Sequence, residues 1–228
     1  MNKYYKYFLI TLGVILLDQT IKLLVYFNMD MGIVGQVKVF GDWFKLHYTI
    51  NPGMAFGMQI ASHNGKLILT FFRLVAMGGI AYYLVYLIRK NVHTGLIICV
   101  ALILGGAIGN LIDSIFYGVL LHNAPVNAPT PWFHGQVIDM FYIDLWEGRI
   151  PDWFPVLGGD YMALWPIFNI ADASIFFGVT IILFRQRAFF SEKEPEIEVQ
   201  TENSESENMS TSEPPTTTSQ TFTRNENL

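Results

Sequence analysis

Four apolar stretches divide the chain, at about Tyr7–Phe27, Leu67–Ile88, Thr94–Phe116 and Phe168–Phe184. Each predicts a helix that crosses a bilayer, which takes roughly 20 apolar residues. The fourth is short unless the preceding "MALWPI" contributes at the interface. Lys3 and Lys6 flank the first stretch, Arg89 and Lys90 separate the second from the third, and Arg185 and Arg187 follow the fourth. Basic residues collect on the cytoplasmic side of membrane helices. Four spans with both termini inside satisfy all three clusters.

The two long connections, about Asn28–Lys66 and Tyr117–Pro166, then face outward. Partial alternation and β-branched and aromatic residues in "KVFGDWFKLHYTI" predict short strands in the first. The second is rich in Pro, Trp and Tyr, and its Trp132, Trp146, Trp153 and Trp165 suit a membrane–water boundary.

Composition agrees with a membrane protein. Of 228 residues 52% are hydrophobic and 14% charged, against about 25% charged in an average soluble domain, and mean hydropathy is +0.35. The net charge of −5 belongs to the end of the chain. Residues 191–228 hold nine Glu against one Lys and one Arg, leaving +2 for residues 1–190. That last segment has few apolar groups and predicts disorder. No basic patch argues for nucleic acid. The single cysteine, Cys99, excludes an internal disulfide and reads as a small packing residue. The apolar start resembles a signal peptide, but Asp18 and Lys22 interrupt it and no small-residue cleavage site follows, so an uncleaved span is expected.

The polar residues inside these stretches carry the candidate chemistry. "GGAIGNLIDS" holds Asn110 and Asp113, and "FNIADASIFF" holds Asn169 and Asp172, each an amide and an acid three residues apart. On a helix that spacing shares a face. An acid inside an apolar helix is expensive and points to function. The topology brings Asp113 and Asp172 to the outer side, and Asp139 in "GQVIDMFYIDLW" lies just before the fourth stretch.

Two carboxylates held close together cannot both ionise easily, so one retains its proton near neutral pH. One member can then deprotonate water while the other protonates the carbonyl oxygen of a scissile amide. The scheme needs neither metal, cofactor nor nucleophilic side chain. No HExxH, GxSxG or Ser-Lys pair stands in a recognisable context, and the five histidines lack metal-ligand spacing.

Structural accounts compete for several of these groups. Asp18 and Lys22, four apart, can neutralise each other inside the bundle. Asn110 can join helices, and Gly105, Gly106 and Gly109 can let them approach. Arg73, roughly 9 Å into its helix by the rise per residue, can snorkel outward or hold a lipid headgroup. A proton- or cation-coupled transporter also uses intramembrane acids, but here they gather near one surface and no repeated half is evident. A non-catalytic membrane adaptor on the same bundle is a third reading.

Five blocks resemble the lipoprotein signal peptidase family, also called signal peptidase II. They are "DQTIK" (Asp18–Lys22), "NPGMAFGM" (Asn51–Met58), "GGAIGNLID" (Gly105–Asp113), "GQVID" (Gly135–Asp139) and "FNIADASI" (Phe168–Ile175), in the family's order. The resemblance implies an all-α membrane protein with four transmembrane helices and a small extracytoplasmic β-cradle in residues 1–190. Composition and topology add a disordered acidic cytoplasmic tail in 191–228, which is unusual for the family. It places the protein in the bacterial inner membrane, with the active site near the periplasmic face.

The activity so implied is that of an aspartic endopeptidase. It removes the signal peptide from diacylglyceryl-modified prolipoproteins, cutting N-terminal to the lipidated cysteine. Asp139 and Asp172 take the catalytic positions. Asp18, Lys22, Asn51, Gly53, Asn110, Asp113 and Asn169 match positions that shape or support the site, and the loop around Asn51–Phe56 would line the substrate groove. Membrane lipids and globomycin-type inhibitors are implied partners. The chain departs from the family pattern in three ways: Ser114 stands where Asn-x-x-Asp is usually followed by Arg, and insertions lengthen the Asp113–Asp139 and Asp139–Asp172 intervals.

Overall fold

The structure, a computed structural model, describes residues 4–52, 65–153, 159, 161–163 and 165–190. The described residues belong to one compact unit, Met1–Ser191, and Glu192–Leu228 lie outside the described residues. The expectation of a disordered tail falls there. Gly53 and the rest of the predicted groove loop, 53–56, are also outside them.

Among the described residues three helices are long and apolar enough to cross a membrane. They are α1 (Tyr5–Asn28), α2 (Gly65–Arg89) and α3 (Thr94–Ile112). The last continues through a π-helical turn, Asp113–Tyr117, into the short α4, Gly118–Leu120. Mixed backbone spacing of this kind often marks a functional stretch. The fourth apolar stretch gives α5 (Ile170–Phe184), only 15 residues, followed by α6 (Gln186–Phe190). It begins at Ile170, not Phe168, because Asn169 caps it. At the helical rise α5 covers about 22 Å, short of a hydrocarbon core of roughly 30 Å.

The strands come from the two connections. β1 (Val37–Phe40) and β2 (Phe44–Asn51) form a hairpin turning at Gly41. Gly41 has φ +53°, a left-handed conformation that glycine adopts without a Cβ clash. β2 pairs antiparallel with β3 (Val137–Ile143), giving the order β1-β2-β3. A separate hairpin joins β4 (Glu147–Arg149) to β5 (Tyr161–Ala163). The four tryptophans of the second connection are all exposed.

Two apolar clusters hold the unit. One packs Tyr7 of α1 with Leu84, Leu87 and Ile88 of α2 and Leu96, Val100, Ala101 and Leu104 of α3. The other joins Val25 of α1 to Tyr48, Ile138 and Met140 of the sheet and Tyr117 of the π-turn. Most outward residues of α1 and α2 are large and apolar, such as Leu9, Leu16, Phe71 and Phe72. A bundle that leaves these exposed has lipid as its natural solvent.

Glycine sets the tightest helix contact. A Cβ on Gly106 would sit 2.3 Å from the carbonyl oxygen of Ala171, and one on Gly109 would meet Asp18 at 2.7 Å. Bare backbone therefore lets α3 approach α5 and α1. The polar residues gather where these three helices meet the sheet.

Candidate active site

The start of α5 explains the second Asn-x-x-Asp pair. Asn169 is the N-cap, and its Oδ1 accepts the backbone N–H of Asp172 at 2.9 Å. The Asp172 carboxylate reaches back to the backbone N–H of Asn169 at 3.4 Å, completing a capping box. Asn169 therefore lies outside the helix, and this pair is a helix start rather than two positions on one helical face. Asp18 of α1 takes another N–H of that first turn, since its Oδ1 accepts from Ala171 at 2.9 Å. Carboxylates at a helix N-terminus meet unpaired donors and the favourable end of the dipole.

The Asn110 and Asp113 pair does share a face, and both side chains meet Lys22. The Lys22 ammonium, fully buried, ion-pairs with Asp18 at 2.8 Å and Asp113 at 2.6 Å. It also donates to Oδ1 of Asn110 at 3.0 Å. Three oxygens thus surround the ammonium, two of them anionic, as a buried positive charge requires. The Asp18–Lys22 pair extends to a third helix.

Asn110 and Asn169 link this cluster to the other two acids. Nδ2 of Asn110 donates to Oδ1 of Asp172 at 2.7 Å. Nδ2 of Asn169 donates to Oδ1 of Asp139 at 2.6 Å and lies 3.2 Å from Oδ1 of Asn110. Asn51, at the end of β2, donates to the other Asp139 oxygen at 3.0 Å. Asp139 itself sits in the middle of β3 opposite Thr49. The backbone of Phe141 exchanges hydrogen bonds with Phe168 at 2.8 and 3.0 Å, which fastens β3 to the α5 cap.

Asp139 is 1% exposed. Burial, and then the negative charge of Asp172, push its carboxyl up from 3.8 to about 7. The hydrogen bonds from Asn51 and Asn169 and the charge of Lys22 oppose that shift without cancelling it. A carboxyl that binds its proton near pH 7, coupled to a second half-buried carboxyl, suits acid–base exchange with water and a carbonyl oxygen.

Of the nine residues named from sequence, Asp18, Lys22, Asn110, Asp113, Asn169, Asp139, Asp172 and Asn51 form one connected network, and Gly53 lies outside the described residues. Two participants were not among them. Gln19 donates to Asp113 at 2.9 Å and to the carbonyl of Gly109 at 3.2 Å, and accepts from the Tyr117 hydroxyl at 3.0 Å. Its signal was available as a polar residue beside Asp18 within an apolar span. The other is Arg73 of α2, whose Nη1 donates to Ser114 Oγ at 3.0 Å. Ser114 occupies the position where the family pattern carries Arg, so a guanidinium reaches this place from a different helix.

Apolar helices clasping a buried acid–amide network against a small sheet define a multi-pass membrane protein with an acid-rich polar centre. A sequence model described as "Signal peptidase (SPase) II" matches residues 10–188. The chain belongs to the signal peptidase II family of proteases. A "Lipoprotein signal peptidase" of Amoebophilus asiaticus is 52% identical over 188 residues, 82% of this chain and 80% of that protein. One from Porphyromonas gingivalis is 42% identical over 180 residues, 74% of this chain and 77% of the relative. A solved bacterial membrane enzyme structure, determined by the in meso method at 2.3 Å resolution, is similar with a TM-score of 0.53 and 25% identity. It covers 85% of this chain and 95% of the other.

Proposed function

We propose that this protein is an aspartic endopeptidase that cleaves the signal peptide from diacylglyceryl-modified prolipoproteins, N-terminal to the lipidated cysteine. Family membership supports the substrate class. The observation that carries the mechanism is Asn169, which donates to Asp139 while its cap and Asn110 hold Asp172.

On this proposal Asp139 and Asp172 share one proton. The ionised member takes a proton from water as oxygen attacks the scissile carbonyl, and the protonated member donates to the carbonyl oxygen. The pair then protonates the departing amide nitrogen and takes back a hydroxyl proton from the tetrahedral intermediate as the C–N bond breaks, so one shared proton remains as at the start. Asn51, Asn110 and Asn169 orient the carboxyl groups. Lys22, itself held by Asp18 and Asp113, holds Asn110 in place, and Gly53 is assigned a supporting role by the family pattern.

The membrane arrangement proposed has four crossings, with α5 and α6 together completing the fourth, and with both termini cytoplasmic. Lys6 opens α1, Arg89 and Lys90 close α2, and Arg185 and Arg187 follow α5, a placement that supports that orientation. The sheet then forms an extracytoplasmic cradle, and the acids lie near the periplasmic face of the bacterial inner membrane. Residues 1–190 constitute the peptidase domain and 191–228 an acidic tail. Membrane lipids surround the apolar faces, and a globomycin-type cyclic peptide competes with substrate.

Asp139→Asn and Asp172→Asn test the assignment. Each removes a proton-transfer group, and purified, correctly inserted protein should lose about 10²–10⁴-fold in cleavage of a diacylglyceryl-modified prolipoprotein. Turnover near that of the unsubstituted protein in either variant removes that acid from the mechanism.

A further inference from the structure

Arg73 is the charge that the acid–amide network leaves unassigned. It lies in α2, a helix whose other residues at this depth, Phe71, Phe72, Leu74 and Val75, are apolar and exposed. Its own side chain turns inward, is partly covered, and donates to Ser114. Ser114 is fully buried, and its Oγ bonds the carbonyl of Asn110 at 3.0 Å. The guanidinium is therefore docked onto the backbone that carries Asn110 and Asp113. A snorkelling arginine would extend along the helix to water instead.

The charges facing Arg73 come from every neighbouring element. The carboxylates of Asp172 on α5, Asp113 on the π-turn and Asp139 on β3 all attract it, Asp172 most strongly. Lys66, two turns earlier on α2, repels it and itself donates to the carbonyl of Pro52 at 2.5 Å. Lys22 of α1 is engaged with Asp18 and Asp113. Two acids share that one ammonium, so the three together carry a formal charge of −1. An added negative charge on the Asp139–Asp172 pair is opposed by that charge and attracted by Arg73.

We propose that Arg73, docked on Ser114, is an electrostatic positioning residue for the Asp139–Asp172 pair, its fixed positive charge favouring the singly ionised state at neutral pH. The proposal rests on those two acids being the catalytic pair. Arginine suits this role because it keeps its charge even when partly desolvated, and its planar fork holds a fixed direction.

The test is the pH profile of kcat/KM for cleavage of a diacylglyceryl-modified prolipoprotein by purified full-length Arg73→Gln, Arg73→Lys and Ser114→Ala, with Asp139→Asn as the control. Losing a unit charge at this range should move the acidic limb of Arg73→Gln upward by roughly 0.5–1 pH unit. Arg73→Lys, which retains the charge, should stay within about 0.3 unit of the unsubstituted protein. Ser114→Ala removes one contact of the guanidinium while keeping its charge and should shift the limb upward by less than Arg73→Gln does.

A lowered rate for Arg73→Gln with an unmoved limb overturns the proposal and leaves Arg73 a packing residue. An equal shift in Arg73→Lys and Arg73→Gln overturns the charge account. Should Arg73→Gln fail to fold, an unmoved limb in Ser114→Ala overturns the docking. Full activity of Asp139→Asn instead defeats the catalytic assignment, which separates the two failures.

Discussion

The Lys22 ammonium donates to Oδ1 of Asn110 at 3.0 Å, and that contact decides which end of the amide faces Asp172. An ammonium has no acceptor, so the oxygen of Asn110 must point to it. The amide nitrogen is thereby presented to Asp172, 2.7 Å away. A buried lysine on α1 thus orients a donor on α3 toward an acid on α5.

Asn110→Ala should lower kcat by about 10–100-fold with little change in KM, since a hydrogen bond to a charged group contributes about 1.5–3 kcal/mol. Lys22→Met acts differently. It strands Asp18 and Asp113, both fully buried, and should destabilise the protein by about 3–5 kcal/mol in thermal unfolding in detergent. Equal melting temperatures for Lys22→Met and the unsubstituted protein would contradict the hub geometry.

Asp139 links acid–base poise to stability. Its carboxyl binds a proton at about 7 in the folded protein, against an ordinary value of 3.8. The folded state therefore holds more protons than the unfolded state across that window. The resulting stabilisation is fully present below pH 3.8 and is lost as pH rises through about 7. Asp139→Asn cannot ionise, so its melting temperature relative to the unsubstituted protein should climb between these pH values and level off above them. The change across the window is at most about 4 kcal/mol. A pH-independent difference would show that Asp139 does not carry the raised proton affinity.

Helix approach sets the distance from Asn110 to Asp172, and Gly106 controls that approach. A Cβ there meets backbone of Ala171, which cannot rotate away. Gly106→Ala should destabilise by about 1–3 kcal/mol and reduce cleavage with it. Gly79 on α2 has nothing within 4 Å of its would-be Cβ. Gly79→Ala should be neutral or stabilising by up to about 1 kcal/mol, with unchanged cleavage. Matching losses for both would mean that glycine acts here through backbone flexibility.

Three apolar helices and the first hairpin were legible because runs of apolar residues and residue alternation survive in one dimension. The start of α5 was less so. Phe168 continues the apolar run, yet it pairs with Phe141 as extended chain, and the helix waits for the Asn169 cap. The capping box was present in the letters, but an apolar run masked it. Asp172 stood out because an acid is costly inside an apolar helix, whereas Asp139 was chosen over Asp113 by the resemblance. Asn51 entered only by resemblance, since its contact with Asp139 depends on β2–β3 register. Arg73 was visible as a charge, but its direction depends on Ser114 from another helix. Pairwise tertiary contacts of that kind leave no periodic trace.

Topology can be read from two exposed turns and one buried thiol. Asn127 lies in the turn after Pro125 in the second connection, and Asn91 in the turn between α2 and α3; both are exposed. The native Cys99 is buried in α3 at 3% exposure, so it should contribute little background. On the proposed topology the turn holding Lys90 and Asn91 is cytoplasmic, and one crossing of α3 would put Asn127 on the opposite side. In spheroplasts, Asn127→Cys should react with a membrane-impermeant maleimide, and Asn91→Cys should react only after the membrane is opened. Because the π-turn carrying Asp113 lies between α3 and the Asn127 loop, labelling at Asn127 also assigns the acids to the outer side. The reverse pattern would place the acid–amide network at the cytoplasmic face and overturn the proposed topology.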